Sequence, residues 1–132
     1  MVPVLIGEPA QKQMLSLIEQ DPKMAVWWGT PVEILSAIAR QERMGHVTVY
    51  KVSAALEALE ALSETWQEVL PTTRLRGTAQ RLVRVHPLRA ADALQLAAAV
   101  TALEGQSAFG EFVCLDSRLA DAARREGLRV LP

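Results

Sequence analysis

The chain has 132 residues, half of them hydrophobic and 22% charged, the composition of one globular domain with a sizeable core and not of a disordered segment. Its 14 Lys and Arg balance 15 Asp and Glu, so the net charge of −1 announces no polyanion partner, and the single cysteine, Cys114, excludes an internal disulfide and a cysteine-based zinc site. No apolar run reaches the roughly 18 residues of a membrane span, and the stretch from Met1 to Ile6 lacks the basic start of a secretory signal, so a reducing, cytoplasmic setting is expected.

Helix is the dominant signal along the chain. Ala10 to Gln20 carries Met14, Leu15, Leu17 and Ile18 at mixed helical spacing and is stopped by Asp21-Pro22. Met24 to Trp28 is a short apolar run closed by Gly29, which reads as a buried strand. Thr30-Pro31-Val32-Glu33 then predicts a helix capped by Thr30, with Pro31 at its first position and Glu33 completing a capping box. Ile34, Leu35, Ile38 and Ala39 give it an apolar face, and Gly45 marks its end. A second long helix is expected from about Thr48 to Gln67, with Leu56, Leu59, Leu62 and Trp66 as its stripe. Val69-Leu70-Pro71 is a brief extended piece. Thr73 to Val85 is a basic helix broken at His86-Pro87, and Arg89 to Leu103 is rich enough in Ala and Leu to be buried on most sides. Glu111 to Leu115 reads as a strand ending at Asp116, Arg118 to Glu126 as a helix closed by Gly127, and Leu128 to Leu131 as a last strand. Short apolar strands separated by helices indicate an α/β domain over residues 1–132, a parallel sheet with helices on both faces. Ligands of such sheets bind beyond the carboxyl ends of the strands.

That rule directs attention to three acids. Asp116 ends a strand, Glu33 lies just after another strand's end, and Asp92 sits early in an otherwise apolar helix. Each has a structural reading: Glu33 in the capping box, Asp116 as an N-cap, Asp92 favoured by the helix dipole. Were they to converge, their repulsion would call for a divalent cation, and oxygen-only ligation suits Mg²⁺ or Mn²⁺, which can activate a water against a phosphodiester. Arg74, Arg76, Arg81, Arg84 and Arg89 form a basic run that is either a solvated helix face or a path for a phosphate backbone. His86 is expected to be structural or solvent-facing, Cys114 a packed strand residue, and Trp27, Trp28 and Trp66 core residues. Glycine-rich phosphate loops and a G-x-S-x-G elbow are absent from the sequence.

The segment Leu88-Arg89-Ala90-Ala91-Asp92-Ala93-Leu94-Gln95-Leu96 resembles the second acidic motif of PIN-domain proteins of the VapC toxin type. Phe112-Val113-Cys114-Leu115-Asp116-Ser117-Arg118-Leu119 is similar to their C-terminal motif, and Pro31 to Arg40 to their glutamate-bearing helix. The resemblance spans nearly the whole chain and implies a PIN-like three-layer fold, a central parallel sheet flanked by helices. It implies a Mg²⁺- or Mn²⁺-dependent endoribonuclease, a hydrolase acting as the toxin of a type II toxin–antitoxin pair. Glu33, Asp92 and Asp116 would then be catalytic and metal-binding, the arginine run would seat RNA, an antitoxin protein would block the site, and a homodimer is admitted. The family's first strand and its aspartate would lie upstream of Met1, which implies weakened activity. A catalytically silent PIN scaffold that binds RNA or a partner protein is the alternative reading.

Overall fold

The computed structural model describes residues 16, 19, 20, 23–104 and 110–131. Most of the first expected helix therefore lies outside the described residues, although Ser16, Glu19 and Gln20 are helical. The described elements are β1 (Ala25–Trp27), α1 (Thr30–Arg43), α2 (Val49–Ser63), β2 (Gln67–Val69), α3 (Thr73–Val85), α4 (Ala90–Leu103), β3 (Glu111–Val113), α5 (Ser117–Arg125) and β4 (Arg129–Leu131). The protein is α/β, and its backbone divides into two compact units. Residues 29–67 belong to the first, and residues 25–28 and 68–131 to the second.

The first unit is built on the α1–α2 hairpin. Ile34 and Ile38 on α1, and Ala55 and Leu59 on α2, are each one helical turn apart, so each helix buries one narrow seam. The expected cap at Thr30 is corrected. Gly29 holds the N-cap position with no side-chain cap bond, Thr30 is already helical, and the Gly29 carbonyl accepts from Val32 and Glu33. The turn into α2 passes Gly45, whose φ of 71° is the left-handed conformation that stops α1 at little cost. Thr48 does cap α2, its hydroxyl accepting from the Lys51 N–H. That helix ends at Ser63, short of the expected Gln67. Ser63 and Thr65 donate their hydroxyls to the Glu60 and Leu62 carbonyls, and the Thr65 N–H turns back to Leu62. Leu56 is consequently exposed, while Trp66 is buried in the turn beyond the helix.

The second unit holds the larger core. Leu75, Ala79 and Leu82 of α3 pack with Ala93, Leu96, Ala97 and Ala98 of α4 and with Leu119, Ala122 and Ala123 of α5. Alanine on α4 lets its neighbours approach closely. The long side chains fill the space between, each contributing about 1.5–3 kcal/mol of burial. Thr72 caps α3 through the Leu75 N–H at 3.1 Å, and His86, extended ahead of Pro87, ends it. Trp27 and Val69 reach this core from β1 and β2, and Phe112 and Val130 from β3 and β4.

Among the described residues the strands pair two and two. Gln67 N–H donates to the Met24 carbonyl at one end of the β1–β2 pair, and Trp28 N–H to Val69 at the other, so the pair is parallel. β3 and β4 are also parallel, with Phe112 opposite Val130. The expected strand to Leu115 stops at Val113, although the Cys114 N–H still reaches the Leu131 carbonyl. Gly127, at φ 88°, closes α5 as its sequence position suggests.

Candidate functional site

Two of the three expected acids come to one neighbourhood in the second unit. Past the carboxyl end of β3 the chain runs through Cys114 and Leu115 to Asp116, an extended residue whose Oδ1 accepts from the Leu119 N–H at 2.9 Å. This caps α5 and fixes the orientation of the carboxylate. The Cys114 thiol donates to the Asp116 carbonyl at 3.3 Å. Burial pushes that thiol upward, and the negative charges of Asp116 and Asp92 add to the shift, so both carboxylates bear on one sulfur.

Asp92 stands in the first turn of α4, behind the N-cap Arg89, and is half-buried. Among the described residues it takes part in no hydrogen bond or ion pair. The helix N-terminus offsets part of its charge. Among the described residues no ion pair neutralises the rest of it.

Glu33 lies in the first turn of α1, in the other unit, and is engaged in an interaction of its own. The expected trio is thus divided between the two units. Among the described residues no group of three or more His, Cys, Asp or Glu side chains is gathered in the manner of metal ligands.

The arginine run is not a uniform basic face, because the fold brings acids to it from distant positions. Arg74 pairs with Glu104 at 2.7 Å, and Arg81 holds Glu126 through both guanidinium nitrogens, at 3.0 and 2.7 Å. Arg76 and Arg84 form no ion pair among the described residues, and Arg89 caps α4 by position without a side-chain bond. Gln80, Arg81, Arg84 and Val85 line a shallow groove along the end of α3.

The network around Glu126 went unnoticed in the sequence. His86 is buried, at 6% exposure, so the solvent-facing expectation for it is corrected and the structural one stands. Its Nε2 meets Glu126 Oε1 at 2.7 Å. The two Arg81 hydrogen bonds, helped by His86 and opposed by desolvation, hold the Glu126 carboxyl down at about 2. A signal did exist: an acid at the carboxyl end of a helix is disfavoured by the dipole, so Glu126 needed cationic partners from elsewhere. The tryptophans also divide. Trp66 is buried, Trp27 is half-buried, and Trp28 is 52% exposed, against the expectation of three core residues.

No protein-family model, no curated protein and no solved structure matches the chain. No described helix is long and apolar enough to cross a membrane.

Proposed function

We propose that the chain is a PIN-type endoribonuclease dependent on Mg²⁺ or Mn²⁺, the toxin of a type II toxin–antitoxin pair acting in the cytoplasm. The observation that carries this reading is the half-buried Asp92, without a hydrogen-bond or ion-pair partner among the described residues, acting with Asp116 on the same Cys114 sulfur past the carboxyl end of β3. In this reading the two parallel strand pairs belong to one PIN-like three-layer domain. The donor chemistry fits the ion, since Mg²⁺ is commonly held by one or two carboxylates and otherwise by water. Bound there, it would offset the two negative charges and polarise a phosphoryl oxygen.

The chain's own groups would divide the work. Asp116, oriented by its bond from Leu119, would be the fixed carboxylate of the pair. Asp92, with neither oxygen engaged among the described residues, would orient an attacking water and take its proton. Arg84 and Arg89 would hold the RNA backbone by charge and not by sequence. An antitoxin protein would act by covering the acids, and a second copy of the chain is a further partner.

One observation favours a silent scaffold instead: the capping bond alone accounts for Asp116. Cleavage of a mixed-sequence RNA by the protein, followed with Mg²⁺, with Mn²⁺ and with EDTA, separates the two readings. Metal-dependent cleavage that Asp92→Asn abolishes supports the nuclease. No metal-dependent cleavage by the parent protein supports the scaffold, and equal cleavage by the variant overturns the role given to Asp92.

A further inference from the structure

A second cavity, of about 290 Å³, opens in the same unit past the carboxyl ends of β1 and β2. Its lining combines Trp27, Pro71, Leu75 and Leu94 with the polar Thr72, Thr73 and Arg76. We propose that this cavity binds a nucleoside monophosphate, either free or as one nucleotide unit of an RNA, with the base against Trp27 and the phosphate against Arg76.

The lining is divided by chemistry in the way such a ligand is. Its apolar part is the Trp27 indole with Leu94 and Pro71, a surface for a planar, weakly hydrated ring. Trp28 stands edge-on to Trp27, ring centroids 6.3 Å apart at 69°, which restricts how the Trp27 ring can turn. Its polar part supplies donors. Arg76 brings a planar fork suited to phosphate oxygens and, unlike Arg74 and Arg81, has no carboxylate partner among the described residues. No acid is found among the lining residues, so the charge of Arg76 is not neutralised within the cavity. The Thr72 oxygen accepts from the Leu75 N–H, which leaves its own O–H to donate, and Thr73 adds a second hydroxyl.

Inorganic phosphate would use only the polar half of this lining, and a nucleoside only the apolar half. The volume is at the lower end of small-molecule sites and suits one nucleotide and not two. The inference goes beyond the nuclease reading and does not depend on it, because neither Asp92 nor Asp116 lines the cavity.

The test is titration of the intact chain in EDTA, by calorimetry and by NMR, with AMP, adenosine, inorganic phosphate, and a four-nucleotide RNA with and without a 5′-phosphate. AMP is expected to saturate, with adenosine and phosphate each weaker by about tenfold or more. Arg76→Gln, at an exposed position, should weaken AMP by a similar factor and leave adenosine unchanged. Trp27→Phe should weaken AMP less and leave phosphate unchanged. A 5′-phosphorylated RNA that binds as tightly as AMP makes RNA the source of the nucleotide; AMP binding without RNA binding makes it the free nucleotide. AMP no tighter than phosphate, or unaffected by Arg76→Gln, overturns the proposal. Nucleotide binding in EDTA with no cleavage in Mg²⁺ would remove the nuclease reading and leave this one standing. Cleavage with no nucleotide binding would do the reverse.

Discussion

The two ends of α5 carry carboxylates in opposite surroundings. At its carboxyl end, where the dipole opposes it, Glu126 is held by a bidentate arginine and a buried histidine. At its amino end Asp116 receives one backbone N–H, and beside it Asp92 has no partner among the described residues. Glu126 is held by Arg81 and His86, 45 and 40 residues away in sequence. Glu126 is neutralised from within the fold, whereas among the described residues Asp92 has no ion-pair partner, and the proposed function rests on that difference.

The sharpest way to break the comparison is to remove charge at each end. In the proposed nuclease, Asp92→Asn and Asp116→Asn should each reduce Mg²⁺-dependent RNA cleavage by about a hundredfold or more, since both would act on the geometry of the reacting water. Asparagine caps helices as well as aspartate does, so Asp116→Asn keeps α5 intact and its melting temperature should match that of the parent. Asp116→Ala should lose activity and also about 1 kcal/mol of stability. If Asp116→Asn cleaves RNA normally, the amino end of α5 is as structural as the other.

Charge removal at the carboxyl end should do the opposite. Glu126→Gln leaves His86 facing an amide and takes the charge from both Arg81 bonds, at a cost of about 2 kcal/mol in urea unfolding, with cleavage per folded molecule unchanged. The same residue sets an acid limb. Its carboxyl titrates near 4.5 in the absence of the network and at about 2 within it. The unfolded chain therefore binds the proton more readily, and the contribution of Glu126 is complete above about pH 4.5 and lost as the pH falls toward 2. Thermal unfolding measured between pH 6 and pH 2.5 should show this loss in the parent, superimposed on that of the other carboxylates. Glu126→Gln should lack that part.

Much of this arrangement was legible in the sequence, and the exceptions have physical causes. The end of α3 at Val85 was legible because His86-Pro87 cannot continue a helix. Thr30 misled because it has the right chemistry for a cap, but Gly29 enters the helical conformation first. The end of α2 misled because Leu56, Leu59, Leu62 and Trp66 continue the helical spacing across Ser63 and Thr65, whose hydroxyls turn back on the preceding carbonyls. Asp92 and Asp116 were visible as acids where the local pattern is apolar or a strand ends. The Glu126 network was not, since it joins positions 81, 86 and 126 through tertiary packing alone.

The smallest effect separates arginines that the fold has already neutralised from those it has not. Arg74 and Arg84 lie on the same helix, about three turns apart, but among the described residues Arg74 has an ion-pair partner and Arg84 has none. An arginine whose charge is balanced by Glu104 would contribute little to the field that the proposed RNA meets, whereas Arg84 presents its charge in the groove along α3. Each phosphate neutralised on a single strand steepens the dependence of binding on salt by about 0.7 in the logarithmic slope. Arg84→Gln should therefore flatten that slope by roughly this amount, and do so alike for RNAs of different sequence. Arg74→Gln should flatten it less, because Glu104 already occupies the Arg74 guanidinium and keeps it from a phosphate. Equal slopes for the two variants would mean that pairing within the fold does not decide which arginines meet the phosphates, and that the groove along α3 is an ordinary solvated helix face.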